Sequence, residues 1–170
     1  KKRESRIADF SDIEHFALQI LVNPDSGTIT ETAREFQNTF EEILIDEYQD
    51  SNQVQEEILC AISRMIQGQN NMFMVGDVKQ SIYRFRQAKP ELFMEKYKTY
   101  NQEESTTQRI DLHQNFRSRM EVIDYVNDIF YKIMGEDLGG VAYDKKASLK
   151  FGAQYFPDNT GMEPELLLIN

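Results

Sequence analysis

The chain has 170 residues, a formal net charge of −10 and a hydrophobic fraction of 40%, the profile of a globular protein with room for one domain or one and a half small ones. A single cysteine, Cys60, excludes an intramolecular disulfide and argues against a cysteine-based zinc site; among Ile58, Leu59, Ala61 and Ile62 it reads as a small core residue, and a reducing cytoplasm fits. No apolar run approaches membrane-spanning length, no signal-peptide pattern opens the chain, and the acidic balance argues against nucleic-acid binding by the whole surface.

The charge is uneven. Residues 31–57 carry nine acids against the one base Arg34, and residues 76–100 carry six bases against three acids, so a local basic patch is compatible with an acidic protein. The chain opens on Lys1 without a methionine, as a piece of something longer would. Residues 1–9 are polar and read as a frayed or entering arm. Ser11 to Glu14 has capping-box spacing, and Ile13, Ala17, Ile20 and Leu21 then follow helical spacing. Asn23-Pro24-Asp25-Ser26-Gly27 marks a turn, and Thr32 to Glu35 is placed to cap a short helix to about Asn38. Ile43, Leu44 and Ile45 form a short apolar run, which predicts a strand buried on both faces of a parallel sheet.

Residues 52–67 read as a helix with Val54, Ile58, Ile62 and Met65 on one face, stopped by Gly68. Met72 to Val75 is a second apolar strand, and Pro90 suits the first turn of a helix carrying Phe93, Tyr97 and Tyr100. The polar stretch 101–108 is the best linker candidate. Ile110 and Leu112 alternate with polar neighbours, as in a third strand, and Ser118 with Glu121 forms another capping box before Val122, Val126, Ile129 and Ile133. Beyond Gly135 the pattern weakens; Gly139-Gly140 is a loop, 141–160 is irregular, and Glu165 to Ile169 reads as a final strand. Strands alternating with helices predict an α/β fold with a parallel sheet.

Three segments carry chemistry. Asp46-Glu47-Tyr48-Gln49-Asp50 stands at the end of the first strand, where α/β folds bind ligands, and adjacent carboxylates there can hold Mg²⁺ and orient a water. Read by residue type alone, it is equally a strand running into a solvated acidic turn. The second segment, Gly76 to Ala88, also follows an apolar strand. Its Gln80 can donate and accept without adding charge, and Tyr83-Arg84-Phe85-Arg86 interleaves aromatics with bases, as sites for single-stranded nucleic acid do. The plainer reading is an amphipathic segment with buried rings and solvated arginines. In the third, Leu112 to Ser118, Arg117 stands between a strand and a helix, where it could reach a phosphate or simply pair with a surface carboxylate. His15 and His113 lack metal-ligand spacing and read as structural or surface residues.

In this order the three segments resemble motifs II, III and IV of the superfamily 1A DNA helicases, the UvrD, Rep, PcrA and RecB kind. Asp9 to His15, and Tyr143-Asp144 through Lys150-Phe151-Gly152-Ala153, resemble in particular the A subunits of the ATP-dependent helicase/nucleases of Firmicutes. The resemblance covers roughly residues 9–170, a middle portion of that family's large protein. It implies a partial P-loop, RecA-like parallel sheet with flanking helices: residues 1–104 would be the late part of the first motor domain and 105–170 the start of the second. It implies ATP and Mg²⁺ as nucleotide and metal, single-stranded DNA and double-stranded DNA ends as substrates, and, as partner, a B subunit.

The resemblance also implies roles by position. Asp46 would bind Mg²⁺, with Glu47 beside it activating the attacking water; Gln49 and Asp50 would complete the ATP-site network. Gln80 would couple the γ-phosphate to DNA. Tyr83, Arg84, Phe85 and Arg86 would lie on DNA, with Phe85 stacking on a base where tryptophan is common in the family. Phe116 would stack near adenine, and Arg117 would be an arginine finger. No Gly-x-x-x-x-Gly-Lys-Ser/Thr loop occurs, so the isolated chain is expected not to turn over ATP. Two other readings stay open: a stand-alone UvrD-like helicase without a nuclease, and a non-catalytic module that binds DNA or a partner.

Overall fold

The computed structural model describes residues 7–83, 87–135, 142–157, 161 and 163–167. The chain divides into two compact units, Lys1–Arg109 and Ile110–Asn170.

The first unit begins with α1 (Phe10–Leu21). Its cap is Asp9 rather than Ser11: Asp9 Oδ1 accepts from the Asp12 N–H at 2.9 Å, and Asp12 Oδ2 accepts from the Asp9 N–H at 3.0 Å. This reciprocal pair satisfies the same orphan donors two residues earlier and so lengthens the helix. The predicted turn forms around Asn23, whose carbonyl accepts from Gly27 N–H at 2.8 Å. Thr30, not Thr32, then caps α2 (Glu31–Thr39).

Strand β1 (Ile43–Ile45) pairs in parallel with β2 (Met72–Met74), in the register Ile43 to Met72, Leu44 to Phe73 and Ile45 to Met74. The expectation of burial on both faces is overturned: Leu44 and Phe73, which are paired, are 70% and 58% exposed. One face of this two-stranded sheet has no covering element among the described residues, so alternation reappears within an apolar run.

Helix α3 (Gln53–Ile62) is shorter than predicted. Its Asn52 cap forms a full box with Gln55, and both side chains donate to Glu14 of α1, at 3.1 and 2.7 Å. The helix stops at Ser63 because Arg64 turns back. The Arg64 guanidinium donates to the carbonyls of Gln37, Phe40 and Glu41 at 3.1, 3.0 and 2.9 Å, and its N–H donates to Asn71 Oδ1 at 2.9 Å. These bonds, with one from Asn71 Nδ2 to the Phe40 carbonyl at 3.1 Å, satisfy carbonyls at and just past the end of α2. A short turn over Met65–Gln67 then ends at Gly68, whose φ of 71° suits glycine. Leu21, Ala33 and Ala61 form the core where α1, α2 and α3 meet. Helix α4 (Pro90–Thr99) begins on Pro90 as predicted. The stretch 101–108 folds back on itself, with Asn101 bridging Gln108.

In the second unit, β3 (Gln114–Asn115) pairs in parallel with β4 (Lys150–Phe151). The predicted strand at Ile110 and Leu112 does not form; both side chains are exposed, and the pairing falls on the polar residues that follow. Helix α5 (Met120–Ile133) starts after Arg119, without the Ser118–Glu121 box, because Asn115 Oδ1 already takes the Ser118 N–H at 2.9 Å. Asn127 of α5 organises the return of the chain: it accepts from the Tyr143 hydroxyl at 2.6 Å and exchanges two bonds with the Leu149 backbone. Strand β4 lies in a stretch that reads as irregular. Glu163–Leu167 form no strand, and the rest of the predicted last strand lies outside the described residues.

Candidate functional site

The acidic segment leaves β1 by a sharp change of direction. Glu47 adopts a left-handed backbone, φ 50° and ψ 40°, a conformation that costs a non-glycine residue about 1–3 kcal/mol. The bend sets the Tyr48 N–H on the Val75 carbonyl at 2.9 Å and begins a short 3-10 turn over Tyr48–Asp50. Asp46 and Glu47 remain exposed, while Tyr48 and Gln49 are buried. Asp46 Oδ1 accepts from the Glu47 N–H at 2.9 Å.

Gln49, 1% exposed, is the centre of the site. Its Nε2 donates to Glu47 Oε2 at 2.7 Å, and more weakly to Asp50 Oδ2 at 3.5 Å. Its Oε1 accepts from the Asp77 N–H at 2.9 Å. The two ends of the amide therefore have different partners, which fixes its orientation. The close approach needs Gly76: a Cβ there would lie 2.7 Å from Gln49 Oε1 and 3.0 Å from the Phe93 ring. The ends of two neighbouring parallel strands are thus joined through one buried amide.

Beyond β2, Asp77 caps a second 3-10 turn, Val78–Gln80. Asp77 Oδ1 accepts from the Lys79 N–H at 3.0 Å and pairs with Lys79 Nζ at 2.8 Å; Asp77 Oδ2 accepts from Gln80 Nε2 at 3.1 Å. Burial alone would raise the Asp77 carboxyl, but the bonds from Lys79 and Gln80 outweigh it and hold it below its usual range. Burial, with Glu47 nearby, raises Asp50 instead. Asp50 Oδ1 is buried without a hydrogen-bond partner among the described residues. Tyr83 stands exposed past this turn, and Arg84, Phe85 and Arg86 lie outside the described residues.

A buried network seats the acidic turn from behind. The Tyr48 hydroxyl donates to Glu56 Oε2 of α3, and Lys96 Nζ of α4 pairs with Glu56 Oε1 at 2.6 Å. Burial, then Glu56, pushes the Tyr48 hydroxyl far up; burial would lower Lys96, but Glu56 and Tyr48 more than reverse that. Cys60 is half-buried, with its thiol pushed up to about 11 by burial and Glu56, which makes it a poor nucleophile. Sequence reading missed Tyr48, Glu56 and Lys96. The visible signal was the opposite charge of the two surrounding segments, since Lys96 and Lys79 turn toward acids rather than joining a free basic patch.

A cleft of about 380 Å³ opens beside the turn, lined by Ile45, Asp46, Glu47, Asp50, Ser51 and Gln55 among others. Its lining is mostly apolar, with Ile58 and Leu59 beside Ile45, and the carboxylates of Asp46 and Glu47 supply the hard oxygens that Mg²⁺ takes. No three His, Cys, Asp or Glu side chains gather as a metal cage among the described residues. The donor set therefore fits a cation shared with water and phosphate oxygens, not one held by protein alone.

In the second unit, Asn115 Oδ1 accepts from the N–H groups of Arg117 and Ser118 at 3.0 and 2.9 Å, an Asx-type turn that projects the two residues between. Phe116 is 56% exposed with its ring over Gly152, and Arg117 is exposed. The Tyr155 hydroxyl donates to the Phe116 carbonyl. His15 and His113 are both exposed; His15 Nδ1 bonds the Ser11 carbonyl at 2.7 Å within α1.

Two acidic strand-end turns are thus bonded through one glutamine on adjacent parallel strands. Residues 1–101 match the UvrD/REP helicase N-terminal domain, and the chain belongs to that family. It is 58% identical over 156 residues to the ATP-dependent helicase/nuclease A subunit of Lachnoclostridium phytofermentans, covering 91% of this chain and 11% of the relative. It is 52% identical over 171 residues to the protein of the same name from Listeria monocytogenes, covering 100% of this chain and 14% of the relative. Its counterpart from Staphylococcus carnosus is 55% identical over 155 residues, 91% of this chain and 13% of the relative's own length. The chain thus spans a small part of the relatives it matches. No helix among the described residues is long and apolar enough to cross a membrane.

Proposed function

We propose that this chain is the part of an ATP-dependent DNA helicase/nuclease that carries the hydrolytic half of the motor's ATP site, within the larger A-type polypeptide of that enzyme. Residues 1–104 are the late part of a P-loop, RecA-like first motor domain and 105–170 the start of the second. The whole protein acts in the cytoplasm with a B subunit, using ATP to move on single-stranded DNA and to process double-stranded ends for recombinational repair. The observation that carries this reading is the Gln49 junction between the strand ends of β1 and β2 in a member of the UvrD/REP family.

In this reading Asp46, with Glu47 beside it, would hold Mg²⁺, which would supply neutralisation of charge on the phosphate oxygens. Glu47 takes the proton of the attacking water on Oε1, its Oε2 being held by Gln49. Gln49 and Asp50 keep the acidic turn in place. Gln80 meets the γ-phosphate. Tyr83, Arg84, Phe85 and Arg86 contact single-stranded DNA, by stacking and by charge. Phe116 stacks on the adenine, and Arg117 steadies the charge that develops on the transferring phosphoryl group.

The test compares the isolated chain with the full-length protein. The full-length protein hydrolyses ATP in the presence of single-stranded DNA, and Glu47→Gln removes that activity. The 170-residue chain alone does not hydrolyse ATP, since it has no phosphate loop. Turnover by the isolated chain that Glu47→Gln abolishes would overturn the assignment of the chain as half a site.

A further inference from the structure

Gln80 and Glu47 belong to different turns, yet hydrogen bonds connect them in three steps. Gln80 Nε2 donates to Asp77 Oδ2 at 3.1 Å, the Asp77 N–H donates to Gln49 Oε1 at 2.9 Å, and Gln49 Nε2 donates to Glu47 Oε2 at 2.7 Å. Each donor meets an acceptor, so the chain of bonds has one polarity throughout. Its middle is rigid. Gln49 is buried with both ends of its amide bonded, and Lys79 clamps the Asp77 carboxylate from the other side at 2.8 Å. Its two ends differ from the middle: Gln80 and Glu47 are exposed.

We propose that Asp77 is a positioning residue that, through Gln49, makes the aim of the Glu47 carboxylate depend on where Gln80 sits. The inference rests on the reading of Glu47 as the water-activating group. A Gln80 side chain drawn toward a phosphate lets go of Asp77 Oδ2 or pulls the Val78–Gln80 turn with it. Either change reaches Glu47 through the Asp77 N–H and the Gln49 amide. Asp77 touches no reacting atom; its effect is exerted through the carboxylate and backbone N–H that link its two neighbours. Lys79 pairs with the other oxygen of the same carboxylate and lies off the path from Gln80 to Glu47.

The experiment uses the full-length protein and measures single-stranded-DNA-stimulated ATP hydrolysis for Asp77→Ala, Gln80→Ala and the double variant. A relay predicts that each single change lowers kcat about tenfold, with KM for ATP within about twofold, because misaimed groups affect the chemical step more than binding. The double variant is then no worse than the poorer single one, since both cut the same link. Asp77→Asn retains an acceptor for Gln80, and its kcat stays within about threefold of wild type. Additive losses in the double variant overturn the proposal, as does an unchanged kcat in Asp77→Ala. If Asp77→Ala does not fold, Asp77→Asn decides: its predicted near-normal kcat supports the relay, and a tenfold loss overturns it. Failure of the underlying reading looks different, since the wild-type protein or its Glu47→Gln variant would then contradict Glu47 as the water-activating group.

Discussion

The two turns that follow β1 and β3 differ in how they are held. Both leave a short parallel strand and both present candidate ATP-site residues. The Asp46–Asp50 turn is tied to distant elements: Gln49 to Asp77, Tyr48 to Glu56, and Glu56 to Lys96. In the Asn115–Ser118 turn the bonds of Asn115 Oδ1 are local, to N–H groups two and three residues on, and the Tyr155 hydroxyl reaches in only to the Phe116 carbonyl. A group that must aim a water needs its geometry set in advance. An arginine that reaches for a phosphate needs only a base to project from, and its guanidinium is left free to swing. The difference predicts that breaking the long-range bonds that seat the first turn costs folding, whereas removing Arg117 from the second costs activity alone.

The largest expected effect tests the second turn. In the full-length protein, Arg117→Ala lowers kcat for ATP by about 10³-fold or more, the scale of a lost arginine finger. The same change shifts the unfolding free energy by less than about 0.5 kcal/mol, as for a surface substitution without packed partners. Urea unfolding and steady-state hydrolysis measured on one preparation settle both. A large stability loss from Arg117→Ala would break the comparison.

The next effect tests the first turn. Lys96→Met leaves the Glu56 carboxylate buried beside Tyr48 without its cation, a change worth about 3–5 kcal/mol when one partner of a buried pair is removed. Adding Glu56→Gln to that variant recovers part of the loss, because the uncompensated charge is then gone. Urea midpoints of the two variants check it, and equal midpoints would mean that the pair contributes nothing through its charge.

Two glycines sharpen the contrast. Gly76→Ala puts a Cβ 2.7 Å from Gln49 Oε1 and 3.0 Å from Phe93, inside a packed junction, and destabilises by about 1–3 kcal/mol as overpacking does. Gly152→Ala meets the Phe116 ring at 2.8 Å, as close by distance alone. That ring is largely exposed and can rotate away, which leaves the Gln114 Cβ of β3 at 3.0 Å as the contact to relieve, so the expected cost is about 1 kcal/mol, the low end for overpacking. Thermal unfolding of the two variants compares them directly.

Elements of the first unit were legible because they rest on local signals: an apolar triplet ending in acids, a proline opening α4, and glycines at turns. The burial of β1 was not legible. An apolar run says that a strand can be covered on both faces, but Leu44 is exposed because no other described segment lies over it. The site's carboxylates stood out by type and spacing, whereas Gln49's role as a junction did not. It depends on Asp77, 28 residues away, which sequence pattern could not bring to it. Ile110 and Leu112 failed as a strand for a similar reason. Alternation states a preference, and the partner, β4, chose Gln114 and Asn115. Helix starts were displaced wherever a competing acceptor existed: Asp9 ahead of Ser11, and Asn115 ahead of Ser118.

The smallest expected effect is a pair of opposite pH dependences at the junction of the first turn with the Val78–Gln80 turn bonded to it. Asp77 has its carboxyl held below the usual 3.8, so its bonds to Lys79 and Gln80 add stability that is complete above that value. As the pH falls through the lower, folded value, the carboxylate takes a proton and that stability is lost. Asp50 is raised, so its sign is reversed: the ionised form is the costly one, and the cost disappears as the pH drops below its folded value. Asp77→Asn should therefore flatten the acid limb of a stability profile taken between about pH 5 and pH 2, the range where native carboxylates titrate. Asp50→Asn should raise stability slightly near neutral pH, and the gain should fade toward acid. If both variants shift the profile in the same direction, the two carboxylates share one environment, and the distinction between a bonded Asp77 and an Asp50 with a free buried oxygen is lost. Opposite shifts would mean that the protein satisfies one of these acids with its own donors and leaves the other desolvated.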